Sequence, residues 1–158
     1  MNKRDGFTLI ETIIYLGLLM LVIGGLLIVT YQIIESTSRN QLKVDVGEEG
    51  AFLIQKIEWG MSGATAISVP ASTTLQITKS GIPAAQNPLL FTLNSQNLEL
   101  KRGSNASTPL NSKSVSVTSI VFTDIPAFQN IPEAVQATIT LKSQTYSQSF
   151  DTKIYLRK

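Results

Sequence analysis

Two hydrophobic periods divide this chain. Residues 12–34, between Glu11 and Glu35, carry no formal charge and read TIIYLGLLMLVIGGLLIVTYQII. As a helix rising about 1.5 Å per residue, this run covers about 35 Å, enough to cross a bilayer's hydrocarbon layer. Backbone groups in lipid must satisfy one another, so a helix is expected there. After Glu35 the apolar positions thin to Leu42, Val46, Gly50, Leu53, Ile57 and Met61, recurring every three or four residues. Lys43, Asp45, Glu48, Glu49, Lys56 and Glu58 fall mostly off that stripe, and Gly60 and Gly63 supply an end signal. The pattern predicts one helix from about Phe7 to about Met61. Its part over 7–34 is membrane-spanning, and its amphipathic continuation over 35–62 turns one stripe to a core.

Beyond the helix the period changes to two. ATAISV, TLQIT, LLFTL, LELK, VSVTSIVF, AVQATITL and FDTKIYL alternate apolar with polar residues and favour Val, Ile, Thr and aromatics, as antiparallel strands do. SGIPAAQNP, NSQN, RGSNASTPLNSK, DIPAFQNIPE and SQTYSQ separate them with the residues of turns, and Asn94–Asn97 reads as a tight hairpin. The expected fold is α+β, a long N-terminal helix packed on an antiparallel β-sheet, with 63–158 as the β-rich globular domain.

Composition narrows the chemistry. The 158 residues contain neither cysteine nor histidine, which removes thiolate nucleophiles, imidazole bases, disulfides and nearly every zinc site. A membrane-tethered hydrolase would need a convergent nucleophile and base from scattered carboxylates, lysines and hydroxyls, so the chain reads as no enzyme, and no cofactor is implied. The net charge is +2. From residue 63 onward eight basic residues face four acids, a balance of +4 that is a weak lean towards polyanions.

The order of signals at the start is informative. Lys3 and Arg4 precede the apolar run, which places the N-terminus in the cytoplasm and the globular domain outside, with Asp5 counting little against them. A secretory signal carries its small-residue cleavage site after the apolar run. Here a basic hexapeptide, MNKRDG, ends in glycine before that run and is followed directly by FTLIE. A protease cutting on the cytoplasmic side would leave the helix in the product.

Through Gly6, Phe7, Thr8, Leu9, Ile10 and Glu11 the chain resembles the type IV pilin and type II secretion pseudopilin family. The resemblance implies a leader at 1–6, cleavage by prepilin peptidase between Gly6 and Phe7, and N-methylation of the new Phe7 amine. It covers about 30 residues closely. The rest agrees in architecture: a long helix laid on an antiparallel sheet. Glu11 supports the same reading on physical grounds, because an intramembrane carboxylate costs a few kcal/mol unless paired. The Phe7 amine, of its own or a neighbouring subunit, is such a partner, and the family is understood to use it in assembly. Many relatives carry a helix-breaking proline in this helix. This chain has none, and the adjacent Gly24 and Gly25 offer either a place where the helix extends on assembly or a site of close helix packing.

The expected function is that of a minor pilin or pseudopilin, assembled through its N-terminal helix into a type IV pilus, a type II secretion pseudopilus or a DNA-uptake filament. The cysteine pair found near the C-terminus of many major pilins is missing. The implied partners are prepilin peptidase, other filament subunits, an inner-membrane platform protein and assembly ATPase, and membrane lipid before assembly. The alternative is a single-pass anchored binding domain that does not polymerise. Three weaker signals read as solvated surface: the Asn105-Ala106-Ser107 sequon, the oxygens of Asp124, Asn130 and Glu133 as calcium ligands, and Lys101-Arg102 with Arg157-Lys158 as contacts to DNA, which lack an aromatic stacking platform. Trp59, the sole tryptophan, is expected at the core or its boundary.

Overall fold

The structure is a computed structural model that describes residues 8–156. Gly6 and Phe7, the leader cations Lys3 and Arg4, and the terminal Arg157 and Lys158 lie outside the described residues. The chain divides into two compact units, 1–41 and 42–158.

One helix, α1, runs over Leu9–Met61, close to the bounds that the sequence predicts. In the first unit four hydroxyls are satisfied within the helix itself. The hydroxyls of Thr12, Thr30, Thr37 and Ser38 donate to the carbonyls four residues back at 3.2, 2.8, 2.9 and 3.1 Å. That suits a lipid phase, where no water is present to take those bonds. Arg39 and Glu35 close an i,i+4 ion pair at 2.6 Å where the uncharged run ends.

In the second unit α1 buries Val46, Gly50, Leu53, Ile57 and Met61 of the predicted stripe and Gly60 besides, while Leu42 is only half-buried. The helix stops at Gly63, whose φ of +72° takes the left-handed conformation that a helix C-terminus asks of glycine. Ser62 N–H still donates to Glu58 O at 2.9 Å, and Lys79 Nζ donates to the Trp59 carbonyl at 2.7 Å, so late carbonyls find donors.

Eight strands follow: β1 (Ala64–Ala71), β2 (Thr74–Lys79), β3 (Leu89–Asn94), β4 (Asn97–Arg102), β5 (Thr108–Pro109), β6 (Ser116–Ile125), β7 (Ala134–Ser143) and β8 (Tyr146–Tyr155). They form two antiparallel meanders, a five-stranded sheet β1-β2-β3-β4-β5 and a three-stranded sheet β6-β7-β8. The core-facing strands alternate as their sequences do: Leu75 and Ile77 of β2, Leu89 and Phe91 of β3, and Val135, Ala137, Ile139 and Leu141 of β7 are buried in one core shared with Leu53 and Ile57 of α1. The predicted hairpin is present. Asn94 pairs with Asn97, and Ser95 and Gln96 between them both have positive φ, 47° and 67°, the signature of a type I′ turn.

Backbone bonds tie the sheets together: Val117 N–H donates to Gln96 O at 2.9 Å and Phe122 N–H to Ser72 O at 2.7 Å. Asn111, between β5 and β6, is the polar hub of that junction. Its Oδ1 accepts from Leu98 N–H at 2.9 Å, and its Nδ2 donates to Val115 O at 2.8 Å and to Asn97 Oδ1 at 3.2 Å. Beside it, Ser112 N–H donates to Glu49 Oε1 of α1 at 2.7 Å, a charge-assisted bond between helix and loop.

Candidate functional site at the start of the apolar helix

The segment Thr8-Leu9-Ile10-Glu11 has the spacing of a capping box. Thr8 Oγ1 accepts from Glu11 N–H at 3.4 Å, satisfying one of the donors that a helix start leaves open. The Glu11 carboxylate is half-buried on the helix, and Tyr15, one turn on, donates its hydroxyl to Glu11 Oε1 at 3.4 Å. That bond is long for an O–H donor, so it is a weak contact. Glu11 is the sole formal charge among residues 7–34. The Tyr15 contact is one that pattern reading missed. The signal was available, since 11 and 15 are an i,i+4 pair on one helix face.

Around this carboxylate the helix surface is apolar and bare. Between Leu9 and Ile34, nineteen large hydrophobic side chains are exposed, each to 48% or more, and the most apolar 18-residue window has none of its residues buried. Leaving such a side chain in water forgoes about 1 kcal/mol or more. Nineteen of them together exceed the roughly 5–15 kcal/mol by which a typical domain is stable, so this surface requires lipid or other helices around it. The helix is long and apolar enough to cross a membrane.

Gly17, Gly24 and Gly25 sharpen the point. A Cβ built on any of them meets nothing within 4 Å, so nothing within the chain demands glycine there. Each costs about 1 kcal/mol of helix propensity relative to alanine. No contact among the described residues accounts for them.

The remaining sequence candidates fall on the globular unit. Asn105, Ala106 and Ser107 lie in an exposed loop after β4. Asp124 and Asn130 are exposed and Glu133 half-buried, and among the described residues no three acidic side chains gather as a metal site. Trp59 is a boundary residue, 42% exposed, with Lys79 Nζ 4.5 Å and the Arg102 guanidinium carbon 5.4 Å from its ring centroid. This pairing of cations from β2 and β4 with a helical indole is invisible in the linear chain, where the three residues are 20 or more positions apart.

No curated protein and no solved structure matches the chain. The comparison with known families does find one match, and it falls on the segment just described. Residues 1–27 match the model of the prokaryotic N-terminal methylation motif.

Proposed function

We propose that this chain is a minor pilin or pseudopilin, a structural subunit that prepilin peptidase cleaves between Gly6 and Phe7 and N-methylates on Phe7, and that then enters a filament through α1. One coincidence carries the reading. The methylation motif over 1–27 leads directly into a helix whose apolar surface has no cover of its own. Before assembly that surface rests in the inner membrane, with the N-terminus cytoplasmic and the globular unit outside. After extraction by a platform protein and its ATPase, other subunits' helices replace the lipid.

Glu11 is the assembly residue in this proposal. In a low-dielectric bundle its carboxylate attracts the positive amine that cleavage creates at Phe7 of a neighbour. The attraction rewards the processed chain alone, because the unprocessed one carries a hexapeptide in place of that amine. Open space at Gly24 and Gly25 suits either a tight helix contact or a local extension, and a filament map showing unbroken helix through Gly24 would leave the contact alone. The filament is of the type IV pilus, type II secretion or DNA-uptake class.

Mass spectrometry of the protein from its native membrane tests the proposal. The expected N-terminus is methylated Phe7, and a chain still beginning at Met1 would remove it. Crosslinking in the same membranes separates a filament subunit from an anchored domain that stays monomeric.

A further inference from the structure

Among the described residues, β8 is the long sheet edge of the globular unit that no other strand covers. The strands at sheet edges are β1 and β5 in one sheet, and β6 and β8 in the other. All but β8 are guarded in the ways that natural edges are. β1 carries Pro70 and two breaks in its register, and β5 is two residues long and ends in Pro109. β6 has a break between Val117 and Ser119, and its backbone is engaged by the bonds of Val117 to Gln96 and of Phe122 to Ser72. β8 instead pairs with β7 in unbroken register from Tyr146 to Tyr155 and contains no proline.

The hairpin decides which backbone groups of β8 face outward. Antiparallel residues alternate between those bonded to the partner strand and those turned away from it. Ser143 pairs with Tyr146 across a two-residue turn, and at the far end Leu156 N–H donates to Glu133 O at 2.7 Å. The even-numbered residues of β8 therefore bond to β7, while the N–H and C=O groups of Ser147, Ser149, Asp151, Lys153 and Tyr155 point to the open side. The charges that could guard that side lie on the sheet's own face. Thr138 Oγ1 donates to Asp151 Oδ1 at 2.9 Å, and Lys153 Nζ is 5.1 Å from the Tyr155 ring centroid.

On the core side Phe150 and Ile154 are only half-buried, whereas their β7 partners Ile139 and Val135 are fully buried. Beside Ile154, Glu58, Met61 and Ser62 at the end of α1 border a groove of about 430 Å³. A row of alternating donors and acceptors is matched by another extended polypeptide backbone. A second copy of β8 fits poorly. Such a two-fold pairing is antiparallel, and β8 runs beside α1, with Phe150 on Gly50 and Ile154 near Met61. The two helices would point in opposite directions, which chains anchored in one membrane do not do.

We infer that the outer edge of β8 binds an extended segment of another protein as an added antiparallel strand. The side chains of β8 specify its chemistry: apolar opposite Phe150 and Ile154, acidic opposite Lys153 and basic opposite Asp151. The residue opposite Ile154 reaches the groove at the end of α1. This site lies on the globular unit and needs neither cleavage at Gly6 nor entry into a filament.

The test titrates the full chain in detergent micelles with two synthetic peptides of equal composition, TVETKVT and TVKTEVT. Laid antiparallel from Tyr155 to Ser149, the first sets Glu against Lys153 and Lys against Asp151, and the second sets like charges together. The first is expected to bind about fivefold more tightly or better. It should slow hydrogen exchange at the amides of Ser149, Asp151, Lys153 and Tyr155, while those of Phe150 and Thr152, already bonded to β7, change little. A chain with both Asp151→Lys and Lys153→Glu should reverse the preference. Ser149→Pro removes an outward N–H and spares the β7 ladder, so it should bind neither peptide.

No binding, equal binding of the two peptides, or unchanged exchange at the outward amides overturns the inference. If Ser149→Pro prevents folding, the charge reversal decides alone. A peptide-free dimer that shields the same amides would put a second copy on the edge and overturns it as well. None of these failures touches the filament reading, which the N-terminal mass of the membrane protein tests separately.

Discussion

Gly50 of α1 lies directly under the ring of Phe150 on β8. A Cβ built on Gly50 would overlap the edge carbons of that ring. The glycine lets helix and three-stranded sheet approach closely, and the aromatic fills the space it leaves. Gly50→Ala gains up to about 1 kcal/mol of helix propensity but forces a ring out of a packed site, which costs about 1–3 kcal/mol. The net expectation is a loss of about 1 kcal/mol in urea unfolding of the detergent-solubilised chain. Gly50→Ala combined with Phe150→Leu should be more stable than the sum of the two single effects. Simple additivity would show that the two residues do not share the space.

The hairpin between β3 and β4 leaves room for improvement. Gln96 holds φ at 67° without being glycine, while its carbonyl accepts from Val117 N–H. A left-handed conformation costs an ordinary L-residue about 1 kcal/mol, and the second position of a type I′ turn favours glycine. Gln96→Gly should therefore raise stability by about 0.5–1 kcal/mol, read as a higher melting temperature by about 2–4 °C. A drop in melting temperature would show that the turn is of another kind.

Asn111 is predicted to be the polar side chain whose loss the globular unit feels most. It joins β4 to the start of β6 through partly buried bonds to Leu98 N–H and Val115 O. Asn111→Ala strands both backbone groups, at about 1–3 kcal/mol for an unsatisfied buried group, so a loss of about 2–3 kcal/mol is expected in chemical denaturation. Asn105→Ala, in the exposed loop after β4, is the control and should change stability by less than about 0.5 kcal/mol.

Which parts of this architecture were legible in the chain follows from how each is held. The bounds of α1 were readable because residues 12–34 are uninterrupted, the stripe from Val46 to Met61 keeps a helical period, and Gly63 closes it. Alternation likewise marked seven of the eight strands. The exception, β5, is a two-residue pairing of Thr108 and Pro109 with β4, too short to show any period. The first half of β8 was hidden for another reason: Tyr146, Ser147 and Gln148 look like loop, yet they pair with Ser143, Lys142 and Leu141 of β7. Division into two sheets depends on which strand each edge chooses, and the Asn111 junction that settles it uses bonds between residues 13 or more apart. At the candidate site, the isolation of Glu11 was plain from the chain, whereas the bareness of the surrounding helix required the fold.

Under the proposed function, replacement of Glu11 separates charge from hydrogen bonding in assembly. Opposite charges about 4 Å apart at an effective dielectric near 20 attract by about 4 kcal/mol, so Glu11→Leu should lower incorporation into filaments by a hundredfold or more while leaving cleavage at Gly6 intact. Glu11→Gln keeps an acceptor for the Tyr15 hydroxyl and discards the charge, and it should fail nearly as badly as leucine. Tyr15→Phe does the reverse. A single long hydrogen bond contributes at most about 0.5–1 kcal/mol, so incorporation should fall by no more than about fivefold. Quantitative blotting of sheared filaments against the membrane pool measures all three, with N-terminal mass spectrometry confirming the processed chain in each. If Glu11→Gln assembled like the natural chain while Tyr15→Phe did not, the carboxylate would be acting through its hydroxyl neighbour, and pairing with the Phe7 amine would have to be abandoned.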